Sequence, residues 1–190
     1  MFYIGTGTIV LLVVLVVVVL LVGWGIGVYN KLVKSRNKVR NSWSQIDVQL
    51  KRRFDLVPNL VETVKGYASH EKEIFNNFAE ARKMYQSGSE SASPEMLAKA
   101  DAMLSRAINI VVERYPELKA DQSFLKLQTE LSETENKIAF TRQFYNDVAL
   151  SYNNEREVFP SSIVASLFKF KVAEFFKIDA EEGKAPKVSF

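Results

Sequence analysis

The chain has 190 residues, enough for one ordinary domain. Its averages are unremarkable, with 47% hydrophobic residues, 25% charged residues, a net charge of +3 and a mean hydropathy of −0.05; yet residues 1–30 carry no Asp, Glu, Lys, Arg or His, so every charge lies in residues 31–190. The lack of Cys excludes disulfides, thiolate catalysis, zinc fingers, iron–sulfur ligation and a lipidated cysteine anchor, and the single His, His70, excludes His-pair metal sites.

The leader comes first. Ile9–Val22 is an unbroken run of Ile, Val and Leu, and Phe2–Thr8 and Gly23–Tyr29 extend the uncharged span on both sides. Roughly 20 apolar residues cross a hydrocarbon core. A cleaved signal peptide would need a basic start and a small-residue exit. No Lys or Arg precedes the run, and the exit reads Gly23-Trp24-Gly25-Ile26-Gly27, so residues 1–29 are read as a permanent transmembrane anchor. Trp24 and Tyr29 suit an interfacial aromatic belt. Gly23, Gly25 and Gly27 suit either helix packing or a loosened joint at the end of the span, with the joint favoured.

Lys31, Lys34, Arg36, Lys38 and Arg40 follow with no acid among residues 31–40. Basic flanks stay on the cytoplasmic side, which predicts a short outside N-terminus and a cytoplasmic body. The same five side chains are candidates for contact with anionic lipid head groups, worth about 1 kcal/mol per charge near the surface; topology alone would also account for them.

From Tyr29 the apolar residues step by three and four: Tyr29, Leu32, Arg36, Val39, Trp43, Ile46, Leu50, Arg53, Val57, Leu60, Val64, Tyr67. This is a coiled-coil or bundle pattern. It keeps its phase through Pro58, predicting one helix kinked there, which Gly66–Ser69 closes. Ser69 is a candidate cap, with His70 exposed in the first turn of a second helix carrying Ile74, Phe78, Ala81 and Tyr85. Gln86–Ser93 is predicted to be a loop, and Ser93-Pro94 to start a third helix with Leu97, Ala100, Leu104, Ala107, Val111 and Tyr115, ended by Pro116. A fourth begins near Asp121 and stops before Phe159-Pro160. Two long and two short helices give an all-α fold: an elongated antiparallel four-helix bundle over residues 30–158, with a two-helix stalk that needs other subunits, a partner protein or the C-terminal segment to bury its surface.

Residues 159–190 form a Phe/Lys-rich segment and tail. It either packs along the bundle or touches the membrane interface through Phe168, Phe170, Phe175 and Phe176. Glu181–Phe190 is predicted to be irregular.

Chemistry is scarce. There is no phosphate loop and no nucleophile elbow, and one His cannot build a di-iron bundle. Polar residues at apolar positions, Arg53, Glu135, Asn136, Arg142 and Asn146, are read as a core network fixing helix register rather than as catalytic groups, since nothing pairs a nucleophile with an oriented base. Residues 31–66 hold nine Lys and Arg against three acids, and residues 67–190 hold 16 against 19. The basic excess therefore lies beside the membrane and does not form a nucleic-acid groove.

Several long stretches also resemble a known family. They are Tyr29–Val33, Arg36–Val39, Trp43–Arg53, Asp55–Val61, Lys65–Glu71, Glu135–Ala139, Arg142–Asn146, Tyr152-Asn153 and Phe159-Pro160. In this order they are similar to the LemA family of bacterial membrane-anchored proteins. The resemblance implies an N-terminal transmembrane helix, an elongated antiparallel helical domain, an outside N-terminus and an inside body, and implies no reaction.

The resulting expectation is a non-enzymatic, single-pass scaffold or adaptor of the bacterial cytoplasmic membrane. Its partners would be the lipid bilayer and an unidentified protein, with self-association through the stalk; no cofactor, metal, nucleic acid or small-molecule substrate is expected. A membrane-remodelling or lipid-sensing role, using the basic flank and the Phe-rich segment, is the alternative, and an enzyme of unknown class a remote one.

Overall fold

The computed structural model describes residues 5–68 and 71–176. Every regular element among them is helical: α1 (Thr6–Asp55), α2 (Val57–Lys65), α3 (Lys72–Glu90), α4 (Pro94–Arg114), a 3-10 turn at Pro116–Ala120, α5 (Gln122–Glu157) and α6 (Ser161–Leu167). Residues 170–176 have no regular secondary structure. Ser69, His70 and the tail Glu181–Phe190 lie outside the described residues.

α1 opens with the apolar run. Each side chain from Ile9 to Val22 is 48–67% exposed, so within the described residues nothing packs around it. A helix apolar on every side requires either a protein core or lipid. This one is long and apolar enough to cross a membrane. The joint expected at Gly23, Gly25 and Gly27 is absent: the helix runs through all three, and beyond the adjoining residues and the helix's own backbone nothing described lies within 4 Å of where their Cβ atoms would be. A regular helix satisfies its backbone groups internally, an advantage wherever water is absent.

As expected, the helix continues past Pro58 with a local irregularity, at Leu56, which keeps right-handed helical angles (φ −79°, ψ −19°) between α1 and α2. α1 stops at Asp55, Leu56 forms a turn, and α2 restarts with Pro58 in its first turn, where its missing N–H breaks no bond within α2. The Leu60 amide donates to the Leu56 carbonyl at 3.0 Å across the restart.

The predicted loop at Gln86–Ser93 shrinks to Ser91–Ser93. α3 continues through Ser87, Gly88 and Ser89 to Glu90. Gly88 is buried against α4, where a Cβ would come within 3.0–3.1 Å of Leu97 and Met96. The helix ends in a Schellman motif. The Ser93 amide donates to the Gly88 carbonyl at 3.0 Å and the Ala92 amide to the Ser89 carbonyl at 3.3 Å, with Ala92 in the left-handed region at φ 49°. One N-cap matches the sequence reading, and a second sits at the expected start of α5. The Ser93 hydroxyl accepts from the Met96 amide at 3.3 Å, and Asp121 accepts from the Phe124 amide at 3.0 Å.

The chain divides into two compact units. The first takes residues 1–41 and 148–173. Its core is Leu32, Tyr152, Val164, Ala165 and Phe170, with Val28, Val33, Val39 and Ala173 against it. The second takes residues 42–147 and those from 174 onward. Ile46, Leu50, Val57, Leu60 and Val64 of the three–four series are all buried there. α3 packs against both α2 and α4, and the Phe54 and Tyr85 rings stack at 4.4 Å. Burial, followed by the Asp47 carboxylate, pushes the Tyr85 phenol up to about 12.

Two substitutions probe this packing. Gly88→Leu, which must force Leu97 aside, is expected to cost about 1–3 kcal/mol. Ala92→Gly removes a left-handed alanine and should stabilise by about 1 kcal/mol. Urea unfolding followed by far-UV circular dichroism reads both.

Candidate functional site

The second unit holds a buried cation. Arg53 is 1% exposed. Its Nη1 donates to Asp101 Oδ1 of α4 at 2.6 Å. Its Nη2 donates to Ser105 Oγ at 3.0 Å and to Glu135 Oε2 of α5 at 3.2 Å. Arg142 donates to the other Asp101 oxygen at 2.9 Å. Two cations face two carboxylates, so the cluster is neutral as a set. The Nε atoms of Arg53 and Arg142 are buried without a hydrogen-bond partner. With its central cation closed off from solvent, the cluster joins three helices and presents no open guanidinium to a substrate.

Of the residues read as one polar network, the structure brings together Arg53, Glu135 and Arg142. Asn136 and Asn146 are elsewhere. Asn136 lines a surface groove, and Asn146 faces the C-terminal segment. Asp101 was missed. Its signal was present: it sits four residues after Leu97 and three before Leu104, on the inward face of α4.

The C-terminal segment is held by side chains of α5. In the second unit, the Asn146 amide group donates to the Phe176 carbonyl and accepts from the Phe176 amide, both at 3.0 Å; the Tyr145 hydroxyl donates to the Glu174 carbonyl at 2.8 Å. In the first, Asn153 makes the same two bonds with Ala173 at 2.9 Å, and the Tyr152 hydroxyl donates to the Lys171 carbonyl at 2.8 Å. A Tyr-Asn pair therefore repeats after seven residues on α5, and its backbone targets repeat after three. A helical heptad rises about 10 Å and three extended residues span about as much, so one spacing fits the other. That repeat, visible in the sequence, was the signal for this site.

The phenylalanines assigned to the interface divide. Phe170 and Phe176 are buried, at 8% and 3% exposed, whereas Phe168 and Phe175 are at 55% and 41%. Phe176 stacks on Trp43 at 5.5 Å, meets Tyr145 edge-on at 5.4 Å and lies 5.5 Å beneath the Arg142 guanidinium. Of the basic flank, Arg36 lies 5.3 Å over the Phe170 ring. The Lys31 ammonium is 3.5 Å from Glu155 and remains 70% exposed. Lys34, Lys38 and Arg40 are exposed.

A groove of about 410 Å³ on the second unit is lined by Gln49, Glu133, Asn136, Lys137, Phe140 and Thr141. Phe140 is 71% exposed, and the Gln49 side-chain oxygen is buried without a partner.

These features define an all-helical protein whose first helix is long and apolar enough to cross a membrane and whose polar residues tie helices and backbone together. The chain belongs to the LemA family, whose sequence model matches residues 42–190. It is 27% identical over 166 residues to Protein LemA of Metamycoplasma hominis, covering 84% of this chain and 76% of that protein. It is also 27% identical over 187 residues to Magnetosome protein MamQ 2 of Paramagnetospirillum magneticum, covering 85% and 68%. Magnetosome protein MamQ of Magnetospirillum gryphiswaldense is 25% identical over 174 residues, covering 78% and 64%. None of these names denotes an enzymatic activity.

The tyrosine clamps give a pH prediction. Burial is the main cause raising the phenols of Tyr145 and Tyr152 above their ordinary value. Raised folded-state values mean their stabilisation is complete below pH about 10 and is lost as pH rises further. Strong alkali should therefore release the segment at residues 171–176, read as increased proteolytic cleavage there coinciding with tyrosinate absorbance. At neutral pH, Asn153→Ala should cost about 1–3 kcal/mol and speed hydrogen exchange at Ala173.

Proposed function

We propose that the chain is a single-pass membrane protein that acts by association, as a scaffold or adaptor of the bacterial cytoplasmic membrane, and catalyses no reaction. The apolar start of α1 is the anchor. The five cations from Lys31 to Arg40 favour a body on the cytoplasmic side. In this reading the body is an antiparallel arrangement of two long and two short helices, and it presents a face to an unidentified protein partner or to a second copy of itself.

The observation that carries association is the groove at Phe140. Phe140 and Phe144 lie one turn apart on α5, 71% and 46% exposed, and Val48 on α1 is 61% exposed. An aromatic pair beside an unsatisfied amide oxygen has the composition of an interface centre. A partner that fills the groove would cover both rings and supply the donor that Gln49 lacks.

The full-length chain in mild detergent should form assemblies that in-cell crosslinking captures through residues near Phe140. Phe140→Glu should weaken the association by at least about 30-fold, the effect of removing an interface anchor, with its circular dichroism unchanged. A monomeric wild-type chain with no crosslinked neighbour, or full association by Phe140→Glu, would sink this reading.

A further inference from the structure

Residues 158–168 carry no charged side chain and lie between Glu157 and Lys169. The middle of this stretch is α6. One face of α6 is taken up by the core of the first unit, where Val164 and Ala165 pack with Leu32, Tyr152 and Phe170. The other face presents Ile163 and Leu167 together with Ser166, and it is bare. Ile163 and Leu167, one turn apart, are 57% and 73% exposed, and Phe159, just before the helix, is 77% exposed. Val158 and Phe168 extend the patch on either side. Bulky apolar side chains left bare beside a face already packed call for an apolar medium of their own.

Its position in the first unit indicates the medium. About 20 residues are needed to cross the hydrocarbon, which takes a span beginning at Ile9 to about Val28. Val158, Pro160 and Ser161 line one groove of about 400 Å³ with Trp24, Val28 and Lys31. The Phe168 ring is 4.7 Å from that of Tyr29. The bare patch therefore lies level with the end of the span, within the head-group layer, which is roughly 5–8 Å deep on each side. Trp24 and Tyr29 share that level, where aromatic rings concentrate. Lys31 lines the same groove and Lys169 directly follows Phe168, both exposed.

The geometry points to a second membrane contact: the face carrying Phe159, Ile163 and Leu167 lies in the bilayer interface beside the point where α1 emerges, with Lys169 and Lys171 on anionic head groups. The occupant is lipid because the patch adjoins the membrane span and is flanked by the cations Lys31 and Lys169. Phe170 and Phe176 take no part, since the core already uses them. The contact rests on reading α1 as the span, and it fixes the first unit at two points instead of one.

The chain has no Cys, so one introduced cysteine is a unique labelling site. The test uses the full-length protein in vesicles of phosphatidylcholine and phosphatidylglycerol. Variants Ile163→Cys, Leu167→Cys, Val18→Cys and Asn37→Cys, all at exposed positions, carry an environment-sensitive fluorophore, and lipids with brominated acyl chains quench it. Labels at Ile163 and Leu167 should be quenched several-fold more than the label at Asn37, approaching the label at Val18. If Val18 is quenched while both α6 labels behave like Asn37, the second contact is wrong and the span stands. If Val18 is unquenched as well, both readings fall. A disulfide between two Leu167→Cys chains without lipid quenching assigns the face to a second copy and overturns the lipid contact.

Discussion

A guanidinium removed from water has to be matched, and the second unit is organised around that requirement. Arg53 comes from α1, its carboxylate Asp101 from α4 and its second carboxylate Glu135 from α5. Arg142 shares Asp101 from the far side. A charge this buried, left without partners, costs several kcal/mol, so any slip of one helix against another is penalised. Yet the cluster is not optimal, because both arginine Nε atoms lack partners. Well-packed apolar residues often do as well energetically. We propose that what the cluster supplies is register: greasy helices can slide by a turn and still bury area, whereas a slip would break this set of hydrogen bonds.

A second constraint acts on the C-terminal segment. Non-helical backbone near a core must satisfy its own N–H and C=O groups. Asn146 and Asn153 do this as backbone mimics, each giving and taking one bond, while Tyr145 and Tyr152 reach two further carbonyls. The aromatic rings that follow, Phe170 and Phe176, then fill places between helices beneath Arg36 and Arg142. A phenylalanine-rich tail that reads as greasy in the sequence is thus half consumed by packing.

The apolar run, the helical series and one cap were legible because each is a local property. Ile46, Leu50, Arg53, Val57, Leu60 and Val64 followed from spacing alone, and Ser93 from capping chemistry. Gln86–Ser93 was misread because its serines and glycine have loop propensities, while the close approach of Leu97 to Gly88 is tertiary and overrides them. The glycines after Val22 were misread as a joint because propensity measured in water penalises them, whereas the structure keeps them in one unbroken helix. Asp101 was hidden because a lone acid among apolar neighbours gives no hint of its partner until α1 and α5 are placed. The division among the four phenylalanines was equally invisible, since it depends on which rings the Tyr-Asn pairs draw inward.

We propose that a chain built in this way acts by holding position. Its buried charges face each other, its amides face its own backbone, and its bare apolar faces point outward at Phe140 and at Leu167. The direct measurement is a double-mutant cycle on Arg53→Met and Asp101→Leu in the full-length chain, by urea unfolding. Each single change should cost about 3–5 kcal/mol by leaving the buried cluster with an unmatched charge, and the pair together, which keeps the cluster neutral, should cost much less than their sum. Single changes of no more than about 1 kcal/mol, the value of an exposed pair, or simple additivity of the two, would contradict the role given to Arg53.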